Sequence, residues 1–499
     1  MNRKTFFIGL FALSCCHAEV KLPALISDHM LVQRDMPVRI FGKAKAGEGV
    51  SVSFRGQTVQ TVTDASGRWE VWLAPMKPSQ AEEMTIEGEN TLKVADVLVG
   101  DVWVGSGQSN MQWAVHQTNN AEQEISSASF PEIRLFYVPR KPSAVPVDDV
   151  EARWVVCSPE SVKDFSAVLY YFGRQLHQDL KVPMGLIHSS WGGTPIASWI
   201  SGPSLTANSR ISPFLTFWED MIAKYPVNLA RYEQNLKEWE ESGSQGRRPG
   251  PPLGPGHPHE PTSLYNGMIA PLVKYTIKGA IWYQGETEAG RGQGHLYGEA
   301  LMTLVEDWRR AFEQGDFPFF WVQLANFGNA AKNGHWMRVQ EGQVKATALR
   351  GTGVAIINDI GEAADIHPKN KQDVGRRLAL LARHVAYGQD NFVWSSPLFR
   401  QATREGNSIR VWFDHAGSGL KARGDGPVKG FVLAGPDGKF VPATGEIEGA
   451  TVIVSSPEVP DPQAVRYAWD YNPDANLVNA AGLPASLFRS DGRDEVIVQ

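Results

Sequence analysis

At 499 residues the chain is longer than one compact core organises, so two or three domains are expected. Its 42% apolar and 20% charged residues exclude disorder as the main state. The balance of 48 Lys and Arg against 54 Asp and Glu gives a net charge of −6 without a basic block, which argues against a nucleic-acid partner. The 16 tryptophans and 12 tyrosines fill β-rich cores or stack on sugar rings, the first use being the commoner.

At the N-terminus, Arg3 and Lys4 precede a short apolar run and then Ser14-Cys15-Cys16-His17-Ala18. This reads as a signal peptide cleaved after Ala18, with a secreted or periplasmic product. The alternative is a lipid tether at Cys15, although Ala12 stands where such signals usually carry Leu. No stretch is long and apolar enough for a membrane span. In a chain beginning at residue 19, Cys157 is the only cysteine, a small buried hydrophobe rather than a disulfide partner or zinc ligand.

Residues 19–96 show short alternating runs such as Val50-Ser51-Val52-Ser53-Phe54, separated by turns, and form an N-terminal all-β segment. From 97 to 394 buried strands (98–104, 184–188, 279–283, 319–324, 353–358) alternate with helices (167–180, 295–312, 370–386). In the last helix Val374, Leu378, Leu381 and Val385 form one apolar face. Such alternation implies a parallel sheet covered on both sides, with reactive residues at the carboxyl ends of its strands. Residues 203–261 interrupt it with a helix and a Pro/Gly-rich loop. Beyond 395 the β pattern returns to residue 499; one sandwich or two separate modules are both compatible with it.

Ser109 follows the first of these strands, after Gly105-Ser106-Gly107. A serine is a poor nucleophile unless a base removes its proton and donors receive the charge that forms on the acyl oxygen. Alone, this turn reads more readily as a plain glycine-rich strand-to-helix turn with an exposed serine. His367 in Asp365-Ile366-His367-Pro368 is the candidate base, with Asp365 placed to orient its ring. In Trp191-Gly192-Gly193-Thr194 the Gly193 N–H is a candidate oxyanion donor, at a position where a side chain would obstruct. Tyr283-Gln284-Gly285-Glu286 adds an amide donor and a carboxylate.

Together the segments Gly105-Ser106-Gly107-Gln108-Ser109-Asn110-Met111, Ser190-Trp191-Gly192-Gly193-Thr194-Pro195, Trp282-Tyr283-Gln284-Gly285-Glu286 and Asp365-Ile366-His367-Pro368-Lys369-Asn370-Lys371 resemble the sialate O-acetylesterase branch of the SGNH hydrolases. Leu264-Tyr265-Asn266-Gly267-Met268-Ile269-Ala270-Pro271-Leu272 also looks like that branch. The resemblance implies a flavodoxin-like three-layer α/β/α hydrolase domain with flanking all-β segments, cleaving O-acetyl esters of a carbohydrate without metal or cofactor. It implies Ser109 as nucleophile, His367 as base, and the Ser109 N–H, the Gly193 N–H and Gln284 as oxyanion donors. Gln108, Asn110, Trp191 and Glu286 are the candidate substrate contacts. The superfamily usually places its aspartate three residues before the histidine, where this chain has Ala364. The acid behind His367 is therefore Asp365, Glu286 or a backbone carbonyl. The expected substrate is O-acetylated sialic acid, whose carboxylate would favour an arginine such as Arg291 or Arg338 in the cleft. Acetylated xylan and a non-catalytic carbohydrate-binding protein are the alternatives.

Overall fold

The computed structural model describes residues 19–492, so the expected leader at 1–18 lies outside the described residues. Its centre is a twisted sheet of seven strands: β1 (Thr91–Gly107), β2 (Phe130–Tyr137), β3 (Trp154–Cys157), β4 (Met184–Ser190), β5 (Gly279–Tyr283), β6 (Phe319–Val322) and β7 (Thr352–Ala355). They lie in the order β7-β6-β5-β1-β4-β2-β3, with every neighbouring pair parallel except β2 and β3. The helices that matter below are α1 (Ser109–Gln112), α2 (Ala167–Leu180), α3 (Pro213–Glu241), α4 (Glu286–Gly290), α5 (Tyr297–Phe312), α6 (His335–Lys345) and α7 (Lys371–Val385).

Side-chain parity establishes the three layers. Trp103 of β1 packs edge-on against Phe172 of α2, with ring centroids 4.9 Å apart. Trp282 of β5, in register with Ser106, packs edge-on against Trp308 of α5 at 6.1 Å. Positions 103 and 106 of a strand face opposite ways, so α2 and α5 cover opposite faces of the sheet. Helix α7 lies beside α2, while α6 lies beside α5. The expected α/β/α architecture is therefore borne out.

The strand expected at 98–104 runs much further than its apolar core. The first half of β1 pairs with the N-terminal strand Ser79–Glu87, and its middle pairs with Leu31–Gln33. Only from Asp101 onward does it join β4 and β5. Residue 96, the expected domain boundary, thus lies inside a continuous strand. Asp101, fully buried, fastens this junction: it accepts from Gln33 Nε2 at 2.9 Å, from Arg34 Nε and Nη2 at 3.0 and 2.9 Å, and from the Tyr387 hydroxyl at 2.9 Å.

Seven of the nine C-terminal strands form their own antiparallel sheet and the other two, Leu420–Ala422 and Leu477–Asn479, pair with each other; none is shared with the N-terminal strands. This segment joins the α/β region through Asp359, which binds Arg377 at 2.6 and 2.8 Å and Arg423 at 3.0 Å. Arg489 similarly grips Glu341 of α6 at 2.9 and 3.0 Å. The insertion contains the expected helix as α3, followed by a loop. Two strands, β2 and β3, carry no simple period. Pro131 and the buried Arg134 break the apolar pattern of β2, the arginine being drawn in by an ion pair with Asp96.

The register sets the site. Gly107 is level with Ser190 on one side and Tyr283 on the other, so β1, β4 and β5 end on one row. Gly107 has φ of 137°, and a Cβ there would lie 2.1 Å from the Tyr283 carbonyl oxygen. Gly107→Ala should therefore cost about 3 kcal/mol, combining backbone strain with a contact that backbone cannot relieve. Urea denaturation measures this, and a loss below about 1 kcal/mol would contradict the reading.

Candidate active site

Three motifs leave the common row together. Gln108 N–H donates to Tyr283 O at 3.0 Å and Trp191 N–H donates to Gly107 O at 3.1 Å, which knits the three strand ends into one floor. Ser109 opens α1 on this floor. Gly192 passes directly beside it: a Cβ on Gly192 would stand 3.2 Å from the serine Cβ. The Gly192 N–H donates to Gln112 Oε1 at 2.7 Å, fixing the turn to α1. The junction of β1, β4 and β5 is also where the chain reverses its direction of winding, the customary ligand position in such sheets.

His367 arrives from the loop between β7 and α7. Its Nε2 lies 2.9 Å from Ser109 Oγ, so the serine hydroxyl can donate to the ring. Trp113 stacks on the imidazole with centroids 4.5 Å apart and planes 15° from parallel. Partial burial and, next, the Lys371 ammonium hold the imidazole below its ordinary pKa, against the opposing pull of Asp365. A neutral ring is the form that accepts a proton.

Asp365 relates to His367 differently from the expected ring contact. Its Oδ1 accepts the backbone N–H of His367 at 2.9 Å and stands 3.8 Å from Nδ1. The carboxylate shapes the loop by hydrogen bonding and acts on the ring through its charge. Glu286, the alternative acid, accepts from Asn110 Nδ2 at 2.6 Å and makes no hydrogen bond or ion pair with the histidine among the described residues.

Of the expected oxyanion donors, the Ser109 and Gly193 N–H groups have no acceptor among the described residues. A side chain at 193 would not obstruct, contrary to what the sequence led one to expect. A Cβ there would meet nothing within 4 Å, and the requirement comes from its φ of 77°. Gln284 is buried, and its Nε2 donates to Thr194 O at 3.1 Å and to Glu288 Oε2 at 2.5 Å. Its amide hydrogens are thus directed away from an acyl oxygen. Glu288 also receives the Ile196 N–H at 2.7 Å, and burial lifts its carboxyl to about 7. Gln284 and Glu288 together lock the end of β5 to the Gly193 turn.

The candidate substrate contacts separate. Trp191 is partly exposed, but Gln108, Asn110 and Glu286 are buried beneath the floor. Gln108 Oε1 receives the Thr287 hydroxyl at 3.3 Å. Asn110 Nδ2 also donates to Ile366 O at 3.0 Å, and its Oδ1 accepts from Lys371 Nζ. Lys371 itself is fully buried, 5.2 Å from the Tyr283 ring centroid, and burial depresses its ammonium to about 7. Glu286 is pushed upward by the same desolvation. This Lys371–Asn110–Glu286 chain connects α7, α1 and α4 under the serine. Lys371 precedes Val374 by three and Leu378 by seven, a spacing that already placed it on the buried face.

Arg291 is mostly enclosed by the insertion: its Nη2 lies 2.7 Å from His259 Nδ1, and its guanidinium covers the Phe217 ring at 4.8 Å. Burial, with Arg291 beside it, holds His259 down to about 3, so this imidazole is a neutral acceptor. Cys157 is buried and its thiol is pushed up to about 12, in keeping with a packing role. Among the described residues no group of three or more His, Cys, Asp or Glu side chains is arranged to hold a metal ion.

Known proteins match both sequence and structure. The family model for carbohydrate esterases described as sialic acid-specific acetylesterases matches residues 227–382. The sialate O-acetylesterase of Mus musculus is 34% identical over 421 residues, covering 76% of this chain and 75% of that protein. That of Homo sapiens is 34% identical over 417 residues, covering 76% and 73%. The crystal structure of a carbohydrate acetylesterase from Xanthomonas citri superposes with a TM-score of 0.82 at 38% identity, covering 95% of this chain and 100% of that one. The protein is thus a carboxylic ester hydrolase of the carbohydrate-esterase class. Within that class, the chain belongs to the sialate O-acetylesterase family.

The depressed lysine has a thermodynamic consequence. Between about pH 7 and its ordinary value of 10.5, the unfolded chain holds the Lys371 proton that the folded protein releases, so stability rises with pH across that window. Relative to Lys371→Met, wild type should gain about 1 kcal/mol per pH unit between pH 7 and 9. Paired denaturation curves read this difference, and a flat one would contradict the depressed value.

Proposed function

We propose that this esterase removes O-acetyl groups from sialic acid through an acyl-enzyme on Ser109, with His367 as general base. The 2.9 Å approach of Ser109 Oγ to His367 Nε2 is the observation that carries the reading. As Oγ attacks the acetyl carbonyl, Nε2 takes its proton and the carbonyl oxygen becomes an anion. The acceptor-free N–H groups of Ser109 and Gly193 are the donors offered to that oxygen. Collapse releases the sugar, whose oxygen takes the proton back from His367. Water then attacks the acetyl-serine, again giving its proton to His367, and acetate leaves with Ser109 restored.

Two assignments differ from the simplest triad. Asp365 stabilises the imidazolium by charge at 3.8 Å and steadies the loop through the His367 N–H. Gln284 is a positioning residue: with its amide spent on Thr194 and Glu288, it keeps the Gly193 turn in place. The leader expected at 1–18 would deliver the enzyme to the periplasm or beyond, where acetylated glycans are encountered.

The rival substrate is an acetylated neutral polysaccharide such as xylan. It draws support from the similarity to the Xanthomonas citri enzyme, described as a carbohydrate acetylesterase. Acetate release from both substrate types separates the two readings. On the preferred substrate, Ser109→Ala should lower kcat by at least about 10³-fold, and retention of full activity would end the proposal. The rate should fall toward acid pH as His367 protonates, with a midpoint below about 6.5 because its pKa is depressed. A rate independent of pH from 7 down to 4 would remove His367 as the base.

A further inference from the structure

A groove of about 590 Å³ begins at Gln112, in the helix that Ser109 opens, and is lined further by Gln117, Tyr137, Arg140, Arg153 and Asp164 among others. Two of its lining residues bind groups that touch the proposed catalytic pair. Gln112 holds the Gly192 N–H next to Ser109. The Gln117 carbonyl accepts the indole N–H of Trp113, the ring stacked on His367, at 3.0 Å. At the far side the Arg140 guanidinium stands 5.8 Å from the ring centroid of Trp191, the residue that leads into the Gly193 turn. A sugar whose acetyl group reaches Ser109 therefore has this groove as its adjoining space.

The charge in the groove is unusual for this protein. The chain is net acidic, and most of its arginines are committed to carboxylates or carbonyls, yet Arg140 and Arg153 are both exposed and make no ion pair among the described residues. Asp164 lines the same groove with its Oδ1 3.0 Å from His116 Nδ1 and makes no ion pair with either arginine, so the groove carries two guanidinium groups against one carboxylate. Two unneutralised guanidinium groups thus face one cavity that also presents Tyr137, 38% exposed, and lies against Trp191. Guanidinium forks bind carboxylates bidentately, and aromatic faces cover the apolar side of a sugar ring. A neutral sugar would leave both cations without a partner.

We infer that this groove binds the carboxylate of an acidic acetylated sugar through Arg140 and Arg153, making them the specificity determinants of the esterase. The inference rests on the Ser109–His367 reading above. It also distinguishes this groove from Arg291, which is already engaged by His259 and Phe217.

The test compares an O-acetylated sialic acid with its carboxyl methyl ester, scoring acetate release for wild type, Arg140→Gln/Arg153→Gln and Arg291→Gln. Wild type should prefer the free acid by about tenfold or more in kcat/KM, mainly through KM, as expected for charge-assisted hydrogen bonds. The double variant should lose that preference, its rate on the free acid falling toward its rate on the methyl ester. Equal wild-type rates on acid and ester, or no turnover of the acid, would overturn the inference. So would a double variant that keeps the preference, or a preference abolished only by Arg291→Gln. None of these outcomes touches the nucleophile, because cleavage of p-nitrophenyl acetate that depends on Ser109 would stand regardless. Loss of that dependence would instead overturn the catalytic reading.

Discussion

Gly107 stands where three parallel strands stop at the same level, and its missing side chain is what lets them do so. The Tyr283 carbonyl occupies the space a Cβ would need. That closeness allows Gln108 to bond across to β5 and Trp191 to bond back to β1, so the three loops start from one rigid edge. Everything placed above inherits its precision from this edge. Ser109 is held to Gly192 by contact and by Gln112, and the Gly193 turn is held to β5 by Gln284 and Glu288. The proposed catalytic geometry is built on strand ends rather than on free loops, which suits donors that must be aimed before charge develops.

Beneath that edge lies an unusual amount of buried polar chemistry. Lys371, Asn110 and Glu286 run in a line under the serine, and burial disfavours the charged form of both end groups. Such a network costs stability relative to apolar packing, several kcal/mol for each ion taken from water. Its gain is positional: Asn110 holds both Glu286 of α4 and the Ile366 carbonyl, one residue from His367. The Lys371 charge also lowers the affinity of His367 for a proton, which Asp365 partly offsets. The same interactions therefore fix where the proposed base, His367, sits and in which state it waits.

The architecture could be read from the sequence where strands are buried on both faces, because such strands are near-continuous apolar runs. Strands β4 and β5 and helix α2 fell close to their expected limits for that reason. Strands β2 and β3, the last two on one side of the sheet, escaped because β3 is only four residues long and Pro131 and Arg134 interrupt the pattern of β2, the partner that pulls Arg134 inward being remote in sequence. At the site, Ser109, Gly193 and His367 were readable from their positions after strands. The direction of neighbouring side chains was not. Gln108 and Asn110 flank the serine, yet the geometry of α1 turns both downward, so they serve the floor. Gln284 offered a plausible donor until its amide was seen to be consumed by Glu288, four residues further along. Trp113 and the Arg140–Arg153 pair depend on surfaces assembled from separate segments.

In the proposed reaction one serine, activated by one histidine, carries the acyl group. Covalent labelling with a serine-directed phosphonate, followed by mass mapping of the modified peptide, addresses it most directly. A single stoichiometric adduct on Ser109 is expected, formed at least about a hundredfold more slowly in His367→Ala, as loss of a general base implies. An adduct on another residue, or labelling of Ser109 at an undiminished rate without His367, would contradict the proposed reaction.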